Sequence, residues 1–229
     1  MTGSRPRRLV AVVGTATEVG KTWASVRLLT EATRRGLRCA ARKPAQSFEP
    51  ADAPGARDRE LLAAATGEPV DDVCPPHRCY PVAMAPPMAA DSLGWPEITA
   101  ATLLGEMTWP AGADLGLVET AGGVASPLAH DATSAELAGL LEPDLAMLVA
   151  DAGLGTINAV NLSLAVLAPL PTVVLLNRFD AAEELHRRNR EWLESGGATV
   201  LADPAEVLDR LLSLPAAPTG ATGHRPAPY

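Results

Sequence analysis

Nothing in these 229 residues approaches the run of roughly 20 apolar side chains that a membrane-crossing helix needs. No membrane partner is expected. The basic start, with Arg5, Arg7 and Arg8, is followed by only about six apolar residues before Gly14, too few for an export signal, so the expected compartment is the cytoplasm. Cysteine is scarce as well. Cys39, Cys74 and Cys79 make an odd count with no second Cys/His pair, which speaks against a disulfide framework and a zinc site. The stretch "CPPHRC" places His77 between two cysteines, but its prolines stiffen it and no fourth ligand is evident, so it reads as an ordinary loop. Positive charge is also short: Lys and Arg number 19 against 27 Asp and Glu, a net charge of −8. Broad nucleic-acid binding draws on clustered cations and is not expected here. A small anion held by a few fixed cations is still compatible with that balance. There is no internal repeat.

What is present is the balance of a globular chain, 47% hydrophobic and 20% charged. The length suits one domain, expected over residues 1–214. Residues 215–229, rich in Pro, Gly and Thr and without periodicity, are expected to form a mobile tail. Short apolar runs at residues 9–13, 37–41, 115–118, 145–150 and 172–176 have the length of buried strands. Longer Ala- and Leu-rich stretches separate most of them. Residues 21–35 read as a helix, with Val26, Leu29 and Thr33 on one stripe and Gly36 as its stop. Strands alternating with helices predict an α/β fold: a doubly wound, mostly parallel sheet flanked by helices. Residues 68–98 interrupt the rhythm with seven prolines. Their apolar Val82, Met84, Met88 and Trp95 predict an ordered loop lining something.

The stretch "GTATEVGKT", residues 14–22, joins the first apolar run to the first helix. A phosphate loop of the common type has four residues between its first glycine and Gly-Lys-Thr, whereas here five separate Gly14 from Gly20. The chemistry needs consecutive backbone N–H groups curling around an anion at a helix N-terminus. Gly20 allows close approach, Lys21 supplies a cation for the β- and γ-phosphates, and Thr22 offers a hydroxyl to Mg²⁺. Strand, turn and helix occur in the required order, and nucleotide binding is expected.

Further candidates lie where strands end. "LGLVETAGG" carries Glu119 to the carboxyl edge of a parallel strand, the edge at which such sheets bind ligands. Lys43, in "ARKPAQS", reaches the same edge after the second run, although taken singly a lysine there is more often a solvated surface residue. Asp58, opening "DRELLAAAT", can serve a metal or simply the first turn of its own helix. "GLGT", residues 153–156, opens another helix with free donors for an anion, or with Thr156 as a cap for stability alone.

Taken together, "GTATEVGKT", "KPAQS", "VETAGG", "DAGLGTINAV" and "LLNR" resemble, in order and over about residues 9–180, the dethiobiotin synthetase family of biotin biosynthesis. The resemblance implies a P-loop NTPase type of fold, a homodimer with its site near the subunit interface, and ATP with Mg²⁺. It further implies CO₂ or bicarbonate and 7,8-diaminononanoate as substrates, closed to a cyclic urea through a carbamate and a carbamic-phosphoric anhydride. By the same resemblance Thr17, Glu18, Val19, Gly20, Lys21, Thr22 and Trp23 would wrap the phosphates. Thr120, Ala121, Gly122, Asn177 and Arg178 would complete the nucleotide site, with Asn177 reading the adenine edge. Thr22, Asp58 and Glu119 would hold Mg²⁺; Lys43 and Lys21 would be the catalytic cations. Ser47 would meet the carbamate beside Lys43, and Gly155, Thr156 and Asn158 would take the substrate's distant carboxylate from the neighbouring subunit.

The chain departs from that pattern at Phe48 and Thr120, where the family has glycine, at Ala159, commonly histidine, and at Arg178, frequently an acid. Phe48 and Thr120 are expected to narrow the site. One alternative is a nucleotide-binding paralogue serving as a regulatory or scaffold subunit. Another is a nucleotide-switched, partner-binding ATPase; those carry a lysine five positions before the loop lysine, where this chain has Ala16.

Overall fold

The computed structural model describes residues 5–51, 55 and 57–215. β1 (Arg8–Gly14) runs through the glycine-rich turn into α1 (Lys21–Arg34), β2 (Cys39–Arg42) and the two-residue β3 (Gln46–Ser47). Then come α2 (Asp58–Thr66), α3 (Val70–Val73), a 3₁₀ turn at Pro76–Arg78, β4 (Cys79–Tyr80), α4 (Pro86–Leu93) and α5 (Ala100–Glu106). β5 (Leu115–Glu119), the hairpin β6 (Pro127–Ala129) and β7 (Ala132–Thr133), and α6 (Ser134–Leu140) follow. The chain continues through β8 (Leu145–Asp151), α7 (Thr156–Leu167), β9 (Thr172–Asn177), α8 (Glu184–Ser195), β10 (Val200–Leu201) and α9 (Pro204–Ser213).

Six strands form one sheet in the order β10-β9-β8-β1-β5-β2, and every pairing in it is parallel. Because both faces are covered, the central strands are apolar without interruption, as in "LVAVV", rather than alternating with polar residues. Alternation survives in where each side chain goes. Val10 and Val12 join Leu117, Met147 and Leu175 in a core under α1, α2 and α9. Ala11 and Val13 join Leu148, Val174 and Leu176 in a second core under α6, α7 and α8. The fold is thus the expected doubly wound α/β sheet, with β1 at the point where the chain turns to opposite sides.

The helix over 21–35 forms, but its buried stripe is Ala24, Leu28, Leu29 and Ala32, while Thr33 is exposed and Val26 half-buried. Two alanines sit on the stripe because α1 lies close against the sheet, and alanine carries too little hydrophobic signal to mark that face in advance. Leu28 is wholly buried, and truncating it to alanine would cost about 2–5 kcal/mol. The strand expected at 37–41 starts at Cys39, after a turn in which Gly36 has φ 82°.

Residues 68–98 are not a structureless excursion. They contain α3, the 3₁₀ turn, β4 and α4, and Tyr80, Ala89, Ala90 and Ile98 are buried in a third core with Leu103 and Leu128. Prolines at the first turn of α4 and of the 3₁₀ segment fit positions whose N–H would lack an intrahelical partner anyway. Within "CPPHRC" the Cys74 and Cys79 sulfurs are 3.5 Å apart, and His77 turns away to Glu106 at 3.2 Å. The tail expected over 215–229 lies, beyond Pro215, outside the described residues. Among the described residues no helix is long and apolar enough to cross a membrane.

Candidate active site

The turn after β1 leaves donors open at the start of α1. Gly20, the N-cap, has φ 95°, so no side chain caps the helix, and the first turn contains no acid. Some other helices close such ends with a side chain, as Thr133 does on α6 and Asp203 on α9. At α1 the free N–H groups and the positive end of the helix dipole are left for an external anion. Lys21 folds back into the turn and donates to Ala16 O at 3.1 Å and Gly122 O at 2.8 Å. A Cβ on Gly14 would lie 3.0 Å from Lys21 Nζ, so the first glycine gives the lysine its room.

A compact charge cluster lies next to this turn, assembled from three strand ends and α2. The Lys43 ammonium, just past β2, donates to Asp58 Oδ2 at 2.7 Å, Glu119 Oε1 at 2.8 Å and Thr120 O at 3.2 Å. The Thr22 hydroxyl is 2.7 Å from Asp58 Oδ1 and 2.9 Å from Glu119 Oε1, although its single proton can serve only one of them. Ser25 donates to the remaining oxygen, Glu119 Oε2, at 2.6 Å. Lys43 is 2% exposed and Glu119 is 0% exposed, so neither charge is screened by bulk water.

The environment divides the two lysines. Burial, then the nearby Lys43 ammonium, pulls Lys21 from the usual lysine range to about 8, against the opposite pull of Glu119 and Asp58. Burial acts the same way on Lys43 but is outweighed by Asp58 and Glu119, and its pKa rises. Burial would lift the Asp58 carboxyl; Lys43 and Thr22 overcome it and hold the group below its ordinary value. Two carboxylates and two ammonium groups thus stand together.

A cavity of about 600 Å³ opens over the cluster. Its lining includes Thr17, Glu18, Gly20, Lys21, Thr22 and Trp23 from the turn and the start of α1, with Lys43, Ser47 and Asp58, and Ala121 and Gly122 from the turn after β5. Phe48 lines it too, with the Arg57 guanidinium stacked 3.8 Å from its ring centre. From the proline-rich region Ala83, Met84, Ala85 and Pro86 form part of the wall, so that segment does line something.

Other expected residues stand behind this wall. Asn177, at the end of β9, donates from Nδ2 to Val19 O at 2.9 Å and is buried against the turn. Thr120 is wholly buried, its hydroxyl donating to Val12 O at 3.2 Å. Arg178, with φ 58°, places Nη1 2.7 Å from Asp151 Oδ2 and Nη2 3.3 Å from Glu18 O. Its charge is paired within the fold.

Gly155, Thr156 and Asn158 do not line the cavity. They open α7, where Gly155 has φ 93° and no side chain caps the helix, as at α1. Asn158 is exposed, and the Thr156 hydroxyl is buried with no hydrogen-bond partner among the described residues, so it does not act as a cap.

Sequence reasoning passed over Ser25, whose hydroxyl secures Glu119. The available signal was its position one turn after Lys21, on the buried side of α1. It also passed over Gln46 and Ser126, both in the cavity wall, because isolated polar residues in loops and short strands carry no spacing signal.

Residues 8–203 match a family model described as an AAA domain. The chain is 35% identical over 170 residues to an ATP-dependent dethiobiotin synthetase of Anaeromyxobacter sp., covering 73% of this chain and 75% of that protein. Identity is 38% over 165 residues to the synthetase of Caulobacter vibrioides, covering 68% and 72% of the two chains. A Parafrankia sp. synthetase is 39% identical over 162 residues, or 70% and 66% of the two chains. Among solved structures, a plasmid partition protein from Borrelia burgdorferi superposes with a TM-score of 0.55 at 11% identity, over 91% of this chain and 99% of that one. That likeness is one of fold alone. With identities of this size over most of both chains, the protein belongs to the ATP-dependent dethiobiotin synthetase family.

Proposed function

We propose that this chain joins CO₂ and 7,8-diaminononanoate, at the expense of ATP, into the cyclic urea of dethiobiotin. One amine captures CO₂ as a carbamate. A carbamate oxygen then attacks the γ-phosphorus, ADP departs, and the second amine closes on the carbonyl carbon and expels phosphate. The observation that carries this reading is the Lys43 ammonium, held out of water beside Lys21 at the base of one cavity.

Each step gives these residues a task. Carbamate and γ-phosphate are both anions, and their repulsion grows as water leaves the site. Lys43 and Lys21 offset it with charge that is already in place and needs no reorganisation. The α1 amides align the phosphates, which suits phosphoryl transfer, a reaction limited by position more than by covalent help. Thr22, Asp58 and Glu119 offer one hydroxyl and two carboxylates, the hard oxygens that suit Mg²⁺. Bound there, the ion would supply charge to the phosphate oxygens. Ser47 would meet the carbamate; Asn177 and Arg178 hold the turn from behind the cavity wall, through Val19 O and Glu18 O, and are assigned to the base by the family resemblance.

The homodimer belongs to the same reading. α7 and the turn before it expose Leu154, Leu162 and Val166, and α8 exposes Trp192, an apolar surface that a second copy would cover. The uncapped start of α7, with the unpartnered Thr156 hydroxyl, would then take the substrate carboxylate across the interface. Sedimentation at micromolar concentration tests the dimer.

The decisive experiment supplies labelled bicarbonate, ATP, Mg²⁺ and 7,8-diaminononanoate and looks for acid-stable label in a cyclic urea. A protein that binds ATP yet forms no such product would instead be the regulatory paralogue.

A further inference from the structure

Cys74 and Cys79 are both free thiols, and their sulfurs stand 3.5 Å apart. The turn that brings them together is stiff before any bond forms, because Pro75 and Pro76 fix their own φ and the Arg78 N–H closes on Pro75 O at 2.9 Å. A disulfide needs sulfurs about 2.0 Å apart, so about 1.5 Å remains to be closed. Neither thiol has a task in the reaction proposed above.

The two sulfurs differ in a way that assigns them roles. Cys74 is wholly buried, whereas Cys79 is partly exposed. The hydrogen bond from Cys74, then the Arg59 and Arg57 guanidiniums, draw the Cys79 thiol below its usual value against the effect of burial. The same bond, with burial, lifts the Cys74 thiol well above its own. The reachable sulfur is therefore also the better thiolate, as a first nucleophile must be. Cys74 is placed to attack second, since a reagent joined to Cys79 leaves that sulfur in contact with Cys74.

The pair also stands behind the cavity wall. Val73, next to Cys74, accepts the main-chain N–H of Lys43 at 2.8 Å. Cys79 lies opposite Gln46 in the β3–β4 pairing, and Tyr80 O accepts the N–H of Phe48 at 3.0 Å. Val73, Cys74 and Tyr80 are at most 1% exposed, so a shift here finds no empty space and passes to those bonds.

We propose that Cys74 and Cys79 form a reversible oxidation site for a low-molecular-weight disulfide, and that closing it loosens the wall segments carrying Lys43 and Phe48. The Cys79 thiolate attacks one sulfur of the reagent and breaks its S–S bond; the departing thiolate takes up the proton that Cys79 gave up. The Cys74 thiol then loses its proton, attacks Cys79 Sγ and expels the second half of the reagent, which takes that proton. The protein gives up two hydrogens with their electrons, and the reagent, gaining them, becomes two thiols.

The test exposes the whole protein to oxidised glutathione, blocks the remaining thiols with iodoacetamide and maps the product by mass spectrometry. The expected product has Cys74 bonded to Cys79, holds no glutathione at either, and returns to two thiols in excess reduced glutathione. Cys74→Ala should instead stop with glutathione held on Cys79, and Cys79→Ala should leave Cys74 unmodified; glutathione on Cys74 there would refute the order of attack. Thiols that stay free, a bond through Cys39, or wild-type protein that keeps glutathione on Cys79 would overturn the site. If an alanine variant does not fold, the wild-type product decides alone. Hydrogen exchange of the reduced and oxidised protein reads the second part: the Lys43 and Phe48 amides should exchange at least about threefold faster once the bond forms. Unchanged exchange would overturn the coupling to the wall. Neither readout depends on urea formation, so failure of the proposed reaction leaves both intact.

Discussion

The ammonium of Lys43 stands 2.8 Å from the carboxylate of Glu119, and both side chains are sealed from solvent. A pair buried this deeply is seldom retained for stability, since desolvation offsets most of the attraction. It does place a fixed positive charge where two anionic reactants would meet.

Replacing Lys43 by alanine should therefore slow turnover by about 2–4 kcal/mol of barrier while ATP affinity changes only a few-fold. Glu119 would be left without its cation, so the variant should also melt earlier, by an amount in the range of about 3–5 kcal/mol for a broken buried pair. Single-turnover kinetics, calorimetry and thermal unfolding separate the three effects. Normal turnover would remove Lys43 from the chemistry.

Lys21→Ala should act on a different step. Its ammonium lies inside the turn, donating to Ala16 and Gly122, and those bonds can be exchanged for phosphate oxygens. Nucleotide affinity should fall by at least about tenfold, roughly 1.4 kcal/mol or more. An ATP isotherm identical to wild type would rule the phosphate role out.

Gly20→Ala combines two faults. The residue has φ 95°, and an added Cβ would collide with Asn177 Nδ2. Destabilisation beyond about 1–2 kcal/mol is expected, together with loss of nucleotide binding. Gly20→Ala with Asn177→Ala removes the collision but not the backbone strain, so it should recover part of the loss and not all of it. A double-mutant cycle in thermal unfolding measures the coupling, and strict additivity would refute it.

His130 gives a pH dependence. Its Nε2 is 3.0 Å from Asp91 on α4, and its Nδ1 is 3.0 Å from both the N–H and the carbonyl of Ile98. The bond to Asp91, helped by the Ile98 carbonyl and by Glu97, raises its pKa above 6.5, against a smaller opposing effect of burial. A histidine whose folded pKa is raised contributes stability fully below about 6.5 and loses it as pH rises through the folded value. The wild type should lose stability relative to His130→Gln as pH rises above about 6.5, by less than about 1 kcal/mol because the pair is at the surface. Parallel melting curves across that range would show that the pair does not contribute.

Much of the fold could be read in advance because parallel strands covered on both faces leave an unmistakable trace, a short unbroken apolar run such as "LVAVV" or "LAMLVA". The buried stripe of α1 could not, since Ala24 and Ala32 carry it by being small. The order inside residues 68–98 was equally hidden, because short elements such as α3 and β4 derive their stability from the core they join, through Tyr80 and Ala90, rather than from local periodicity. In the site, Lys21, Thr22 and Glu119 were visible as residues at a strand edge. The hydroxyl of Ser25 on Glu119, the tie from Asn177 to Val19 and the buried amide of Gln46 on Arg59 were not, for each depends on a partner elsewhere in the chain.

Spacing along the chain was sufficient to determine the alternation of strand and helix, and with it the edge at which the glycine-rich turn, Lys43 and Glu119 emerge. Those are consequences of local pattern and of the way parallel strands must be connected. Only the tertiary structure decided that β1 lies between β5 and β8, with β2 beyond β5, so that Lys21, Lys43, Asp58 and Glu119 come together in one charge cluster. Their charge and reactivity follow from that convergence, because desolvation and Coulomb forces act through space, whatever the separation in sequence.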